Sequence, residues 1–137
     1  KAFEDSDMAI MAAAVADYAP ETIAEKKIKR ETAGIDSIHL VKNPDIAKTL
    51  GEAKRPGQLV VGFALETNDV ELNAMDKLHR KKLDAIVLNS LTNPGTCFGF
   101  DTNQVSVMTN YGTILQTGVE SKSVIADEIL TVLKGLF

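Results

Sequence analysis

Three short apolar runs, residues 7–16, 59–64 and 85–88, constrain this chain more than any other feature. None approaches the ~20 residues that a membrane-spanning helix needs, and each is bounded by polar or turn-forming residues. Nearly continuous apolar runs of this length suit strands covered on both faces, as in a parallel sheet. The many alanines in the first run leave a buried helix as its rival. Helical patterns follow the second and third strand signals. Residues 69–82 place Val70, Ala74 and Leu78 on one stripe, and residues 121–133 do the same with Val124, Ile125, Ile129 and Leu130.

The remaining segments fill in an α/β layout. Residues 37–42 alternate polar and apolar side chains, which predicts a strand. Asn43-Pro44-Asp45 then reads as the start of a helix running to about residue 53, with Asn43 as cap and Pro44 at the first helical position. Residues 104–109 and 113–117 alternate around Asn110-Tyr111-Gly112, predicting an antiparallel hairpin. Residues 17–34 are polar and lysine-rich without apolar periodicity, and read as a long loop or flap. The expected fold is a mainly parallel sheet between helical layers, extended by a C-terminal hairpin.

Composition narrows the functional classes. With 137 residues, 45% hydrophobic and 25% charged, the chain can build one ordinary core. A net charge of -4 argues against nucleic acid as the main partner. Cys97 is the single cysteine and His39 and His79 the only histidines, so neither an internal disulfide nor a metal site is expected. A reducing, cytoplasmic setting fits, with no membrane partner. The chain opens on Lys1 directly before a buried run, which reads as part of a longer protein.

Ligands of open α/β sheets bind beyond the carboxyl ends of the strands. Residues 16–20, 43–47, 63–68 and 89–100 meet that rule. Asp17 and Glu66 each stand just past a buried run, where an acid serves a ligand or simply caps a loop. The helix start at Asn43-Pro44-Asp45 offers free N–H groups to an anion or a polar base edge, or is an ordinary capped helix. Lys26, Lys27, Lys29 and Arg30 form a basic cluster. They are a solvated face, or one of them swings over a phosphate. Lys77 and Lys81 share a helix face, which grips an anion or faces solvent. No Walker loop, dinucleotide glycine fingerprint or serine elbow is present.

Five strings then occur in order: Ala12-Ala13-Ala14-Val15-Ala16-Asp17-Tyr18, Lys27-Ile28-Lys29-Arg30, Val41-Lys42-Asn43-Pro44-Asp45-Ile46, Val60-Val61-Gly62-Phe63-Ala64-Leu65-Glu66-Thr67-Asn68 and Leu83-Asp84-Ala85-Ile86-Val87-Leu88-Asn89. Together they resemble phosphopantothenate–cysteine ligase, over essentially the whole chain. The resemblance implies a Rossmann-like three-layer domain whose upstream part lies outside this sequence. It implies ligation of L-cysteine to 4′-phosphopantothenate through an acyl nucleotide, with CTP favoured over ATP and Mg2+ accompanying it. A non-catalytic nucleotide-binding domain is the alternative. By the same resemblance Lys27 is the catalytic cation. Met11, Ala12, Ala13, Asp17, Pro44, Asp45, Ile46, Ala47, Phe63, Lys77 and Lys81 contact the nucleotide, with Lys27, Lys77 and Lys81 converging on its phosphates. It further implies a homodimer to which residues 104–117 contribute, possible fusion to a flavin-dependent decarboxylase, and an inactive isolated chain.

Overall fold

A computed structural model describes residues 2–29, 37–65, 69–89, 96 and 99–137. The chain forms two compact units, Lys1–Ala12 with Ile46–Phe137, and Ala13–Asp45.

The larger unit is built on a five-stranded sheet in the order β1 (Met8–Met11), β4 (Leu59–Leu65), β5 (Ala85–Asn89), β7 (Val105–Thr109) and β8 (Gly112–Gln116). The first three strands are parallel, and β7 and β8 add the antiparallel hairpin. Helices α1 (Ile46–Ala53) and α2 (Val70–Arg80) supply the connections that parallel strands require. Alternation of side chains sends Val60, Ala64, Ile86 and Leu88 into one core layer with Ala74 and Leu78 of α2. Ala47 and Leu50 of α1 pack against that layer. Val61, Ala85, Val87, Val105 and Val107 face the opposite way, onto Ile125, Ile129 and Leu133 of α3 (Lys122–Lys134). The sheet is therefore sandwiched between helices, the α/β arrangement expected.

Three local devices set the strand starts. Asp84, one residue before β5, accepts the Val60 N–H through Oδ2 at 2.7 Å and pairs with Lys54 through Oδ1 at 2.6 Å. Its own N–H donates to the Val60 carbonyl at 2.9 Å, closing the ladder where β5 begins. Gln58 is buried, and its amide is fully used. Nε2 donates to the Phe3 and Ser6 carbonyls and Oε1 accepts the Arg55 N–H. That ties the 3-10 turn Ala2–Asp5 to the entry of β4. Gly51 is buried where α1 meets the end of α2, and a Cβ there would lie 2.0 Å from the Lys81 carbonyl oxygen.

The smaller unit carries a two-stranded antiparallel ribbon, β2 (Tyr18–Pro20) with β3 (Leu40–Lys42). Asn43 closes it, donating its backbone N–H to the Asp17 carbonyl at 2.8 Å and its Nδ2 to the Ala16 carbonyl at 2.8 Å. A second short ribbon, β6 (Thr102–Asn103) with β9 (Glu120–Ser121), belongs to the larger unit.

Several expected elements differ. The first strand ends at Met11 rather than extending to residue 16. It stands at the end of the sheet order with Ile10 37% exposed, so it is not covered on both faces. Residues 17–34 include β2, which the flap reading missed. The strand expected at 37–42 is shorter, exposed, and paired with β2 instead of the main sheet. Helix α1 begins at Ile46, so Pro44 precedes its first turn, and the Asn43 side chain serves the ribbon instead of capping the helix. Arg30, Glu66, Thr67, Asn68 and Cys97 lie outside the described residues.

Candidate functional site

In the larger unit, the direction of the helices fixes which residues share an end of the sheet. Helix α1 leads into β4 and α2 leads from β4 into β5. Each begins toward the strands' carboxyl ends and finishes toward their amino ends. Two observations fix this polarity. Gly51, near the end of α1, abuts the Lys81 and Lys82 carbonyls, and Asp84 joins the start of β5 to Val60 near the start of β4. The carboxyl ends are Met11 of β1, Leu65 of β4 and Asn89 of β5, with Met11 paired to Gly62 and Leu65 to Asn89 in the ladders.

The expected site residues divide accordingly. Met11, Ile46, Ala47 and Phe63 lie toward the carboxyl ends. Met11 and Ala47 pack against the α1/α2-side layer, whereas Phe63 packs against the α3-side layer, so the sheet separates Phe63 from the start of α1. Ala12 is exposed just past β1. Lys77 occupies the last turn of α2 and Lys81 its cap, both toward the amino ends of β4 and β5. The larger unit therefore does not bring these two lysines to the end where Phe63 stands. Ala13, Asp17, Lys27, Pro44 and Asp45 belong to the smaller unit. Within it Asp17 contributes its backbone carbonyl to the ribbon, its residue and Lys27 are exposed, and Pro44 and Asp45 follow Asn43.

Sequence reasoning passed over a polar cluster at the carboxyl end of β5. Asn103 Nδ2 donates to Asn89 Oδ1 at 2.9 Å, and Asn103 Oδ1 accepts the Gln104 N–H at 2.9 Å. Gln104 Nε2 donates to the Thr117 carbonyl at 3.1 Å, and buried Thr117 accepts the Val105 N–H at 3.0 Å. No local motif announces this cluster, because its members come from β5, β6, β7 and the segments beside them.

An open recess of about 560 Å³ lies at the start of α2, lined by Asp69, Val70, Glu71, Leu72, Met75 and Met108. Its lining combines apolar Val70, Leu72, Met75 and Met108 with the carboxylates Asp69 and Glu71. Among the described residues no group of three or more His, Cys, Asp or Glu could hold a metal ion, and no helix is long and apolar enough to cross a membrane.

Comparison with known proteins adds what geometry alone does not. Residues 1–136 match the family model described as DNA/pantothenate metabolism flavoprotein C-terminal domain. A cysteine/cysteine sulfinic acid decarboxylase from an unidentified prokaryote is 47% identical over 130 residues, covering 95% of this chain and 36% of that protein. The coenzyme A biosynthesis bifunctional protein CoaBC of Bacillus subtilis is 40% identical over 134 residues, covering 98% of this chain and 32% of that protein. The chain thus spans about a third of the length of these relatives. The crystal structure of the C-terminal domain of a CoaBC protein superposes with a TM-score of 0.74 at 32% identity, covering 98% of this chain and 56% of that one. A DNA/pantothenate metabolism flavoprotein from Streptococcus pneumoniae shares the fold, with a TM-score of 0.67 at 21% identity, over 98% of this chain and 66% of that one.

These findings correct the resemblance drawn from the sequence. The printed descriptions name a flavoprotein, a decarboxylase and a bifunctional protein. None of them names a ligase, a nucleoside triphosphate or magnesium. The assignment to phosphopantothenate–cysteine ligase is withdrawn, together with CTP-dependent ligation of L-cysteine, CTP and Mg2+ as cofactors, and the reading as a ligase or a bare nucleotide-binding module. The physical reason is that the five strings mark strand ends and the turns after them. Such strings report a fold and the place where it binds ligands, and the reaction is a separate property of the groups that meet there.

Proposed function

Because the chain belongs to the DNA/pantothenate metabolism flavoprotein C-terminal domain family, we propose that it works within a coenzyme A-pathway flavoprotein that decarboxylates a cysteine-derived acid, and that this third of the protein binds a phosphorylated pantothenate derivative. The observation that carries the reading is the 40% identity to a coenzyme A biosynthesis protein across 98% of the chain, which includes every strand end of the sheet.

The recess at the start of α2 does not fit a flavin mononucleotide. A flavin mononucleotide needs an apolar slot for its ring system and cations or N–H groups for its phosphate. The recess at α2 supplies Leu72, Met75 and Met108, but Asp69 and Glu71 also line it, and two carboxylates repel a phosphate dianion. That recess is therefore not assigned to the flavin, whose chemistry in the whole protein would be to accept electrons during the decarboxylation. No step is assigned to this chain through it.

What this chain's residues do is bind and orient. Met11 and Ala47 offer an apolar wall on one side of the sheet's carboxyl end, and α1 begins there with Ile46, so the positive end of its dipole faces the same end of the sheet. Exposed Lys27 in the smaller unit is the proposed phosphate contact, as a compact mobile charge on a long stem. Within the smaller unit Ala13, Asp17, Pro44 and Asp45 are further proposed ligand contacts; within the larger unit Ala12 and Ile46 are, and Phe63 is one on the other face of the sheet. Lys77 and Lys81 serve a second anion contact. Pairing of two copies through the hairpin and a cytoplasmic location belong to the same proposal.

The test uses the protein that carries this chain. It is expected to purify with flavin absorbance and to release carbon dioxide from the conjugate of cysteine with 4′-phosphopantothenate. Lys27→Gln is expected to weaken conjugate binding about tenfold with unchanged melting temperature, the effect of one lost charge-assisted contact. A protein without flavin and without carbon dioxide release, or a Lys27→Gln variant that binds as the parent does, would contradict the proposal.

A further inference from the structure

We draw no further inference here: the strongest candidate, the open recess between the start of α2 and Met108 of β7, joins apolar side chains to Asp69 and Glu71 at a helix N-terminus, and nothing in the structure shows what covers it.

Discussion

At the scale of single residues, close approach and long-range polar pairing decide more than local preference. Gly51 shows this most directly. Its place in α1 costs helix propensity, yet a Cβ would sit 2.0 Å from the Lys81 carbonyl oxygen and 2.9 Å from that of Lys82. Both obstacles are backbone, so nothing flexible can yield. Gly51→Ala is expected to destabilise the protein by about 2–3 kcal/mol or more, because overpacking here separates the ends of two helices. A denaturant-unfolding midpoint equal to the parent's would contradict this contact. Gly62 is more forgiving, since its Cβ would meet the tip of the Leu83 side chain at 2.7 Å. Neither the Gly51 contact nor the Gln58 and Asn103 pairings could be read from the sequence. Gln58 bonds Phe3 and Ser6 from more than 50 positions away, and such partners leave no periodic trace.

At the scale of elements, periodicity was legible wherever burial is one-sided or complete. Of the stripe expected on α3, Ile125 and Ile129 are buried together with Leu133, whereas Val124 and Leu130 are exposed, and Val105 and Val107 alternate as expected for β7. The hairpin turn follows from Asn110-Tyr111-Gly112, where Gly112 takes φ 115, a value that favours glycine, and Tyr111 is fully exposed. The ribbon β2–β3 was hidden because its strands are three residues long and mostly exposed, so no burial pattern marks them. For the same reason the start of α1 was misplaced: Asn43 has capping chemistry, but its amide is taken by Ala16. Ser121 is a cap in fact, with Oγ accepting the Val124 N–H at 3.3 Å. Ser121→Ala is expected to cost about 1 kcal/mol, seen as faster amide exchange in the first turn of α3. Protection equal to the parent's in that turn would show that the hydroxyl contributes nothing.

At the scale of the whole molecule, the α/β layering was legible and the reaction was not. Three parallel strands with helices on both faces follow from apolar runs alternating with helical stripes. The family was approached through strings at strand ends, which locate a ligand but leave its chemistry open. The comparisons moved the reading from a ligase to a flavoprotein of pantothenate metabolism, while the geometry placed Lys77 and Lys81 toward the sheet end opposite Phe63. The proposed place of function is the carboxyl ends of β1, β4 and β5. Hydrogen exchange of the protein carrying this chain, with and without 4′-phosphopantothenate, tests that claim most directly. The account predicts new protection at Ala64, Leu65, Leu88, Asn89 and the first turn of α1. Protection confined to the end of α2 around Lys77 and Lys81, or no change at the strand ends at saturating ligand, would contradict it.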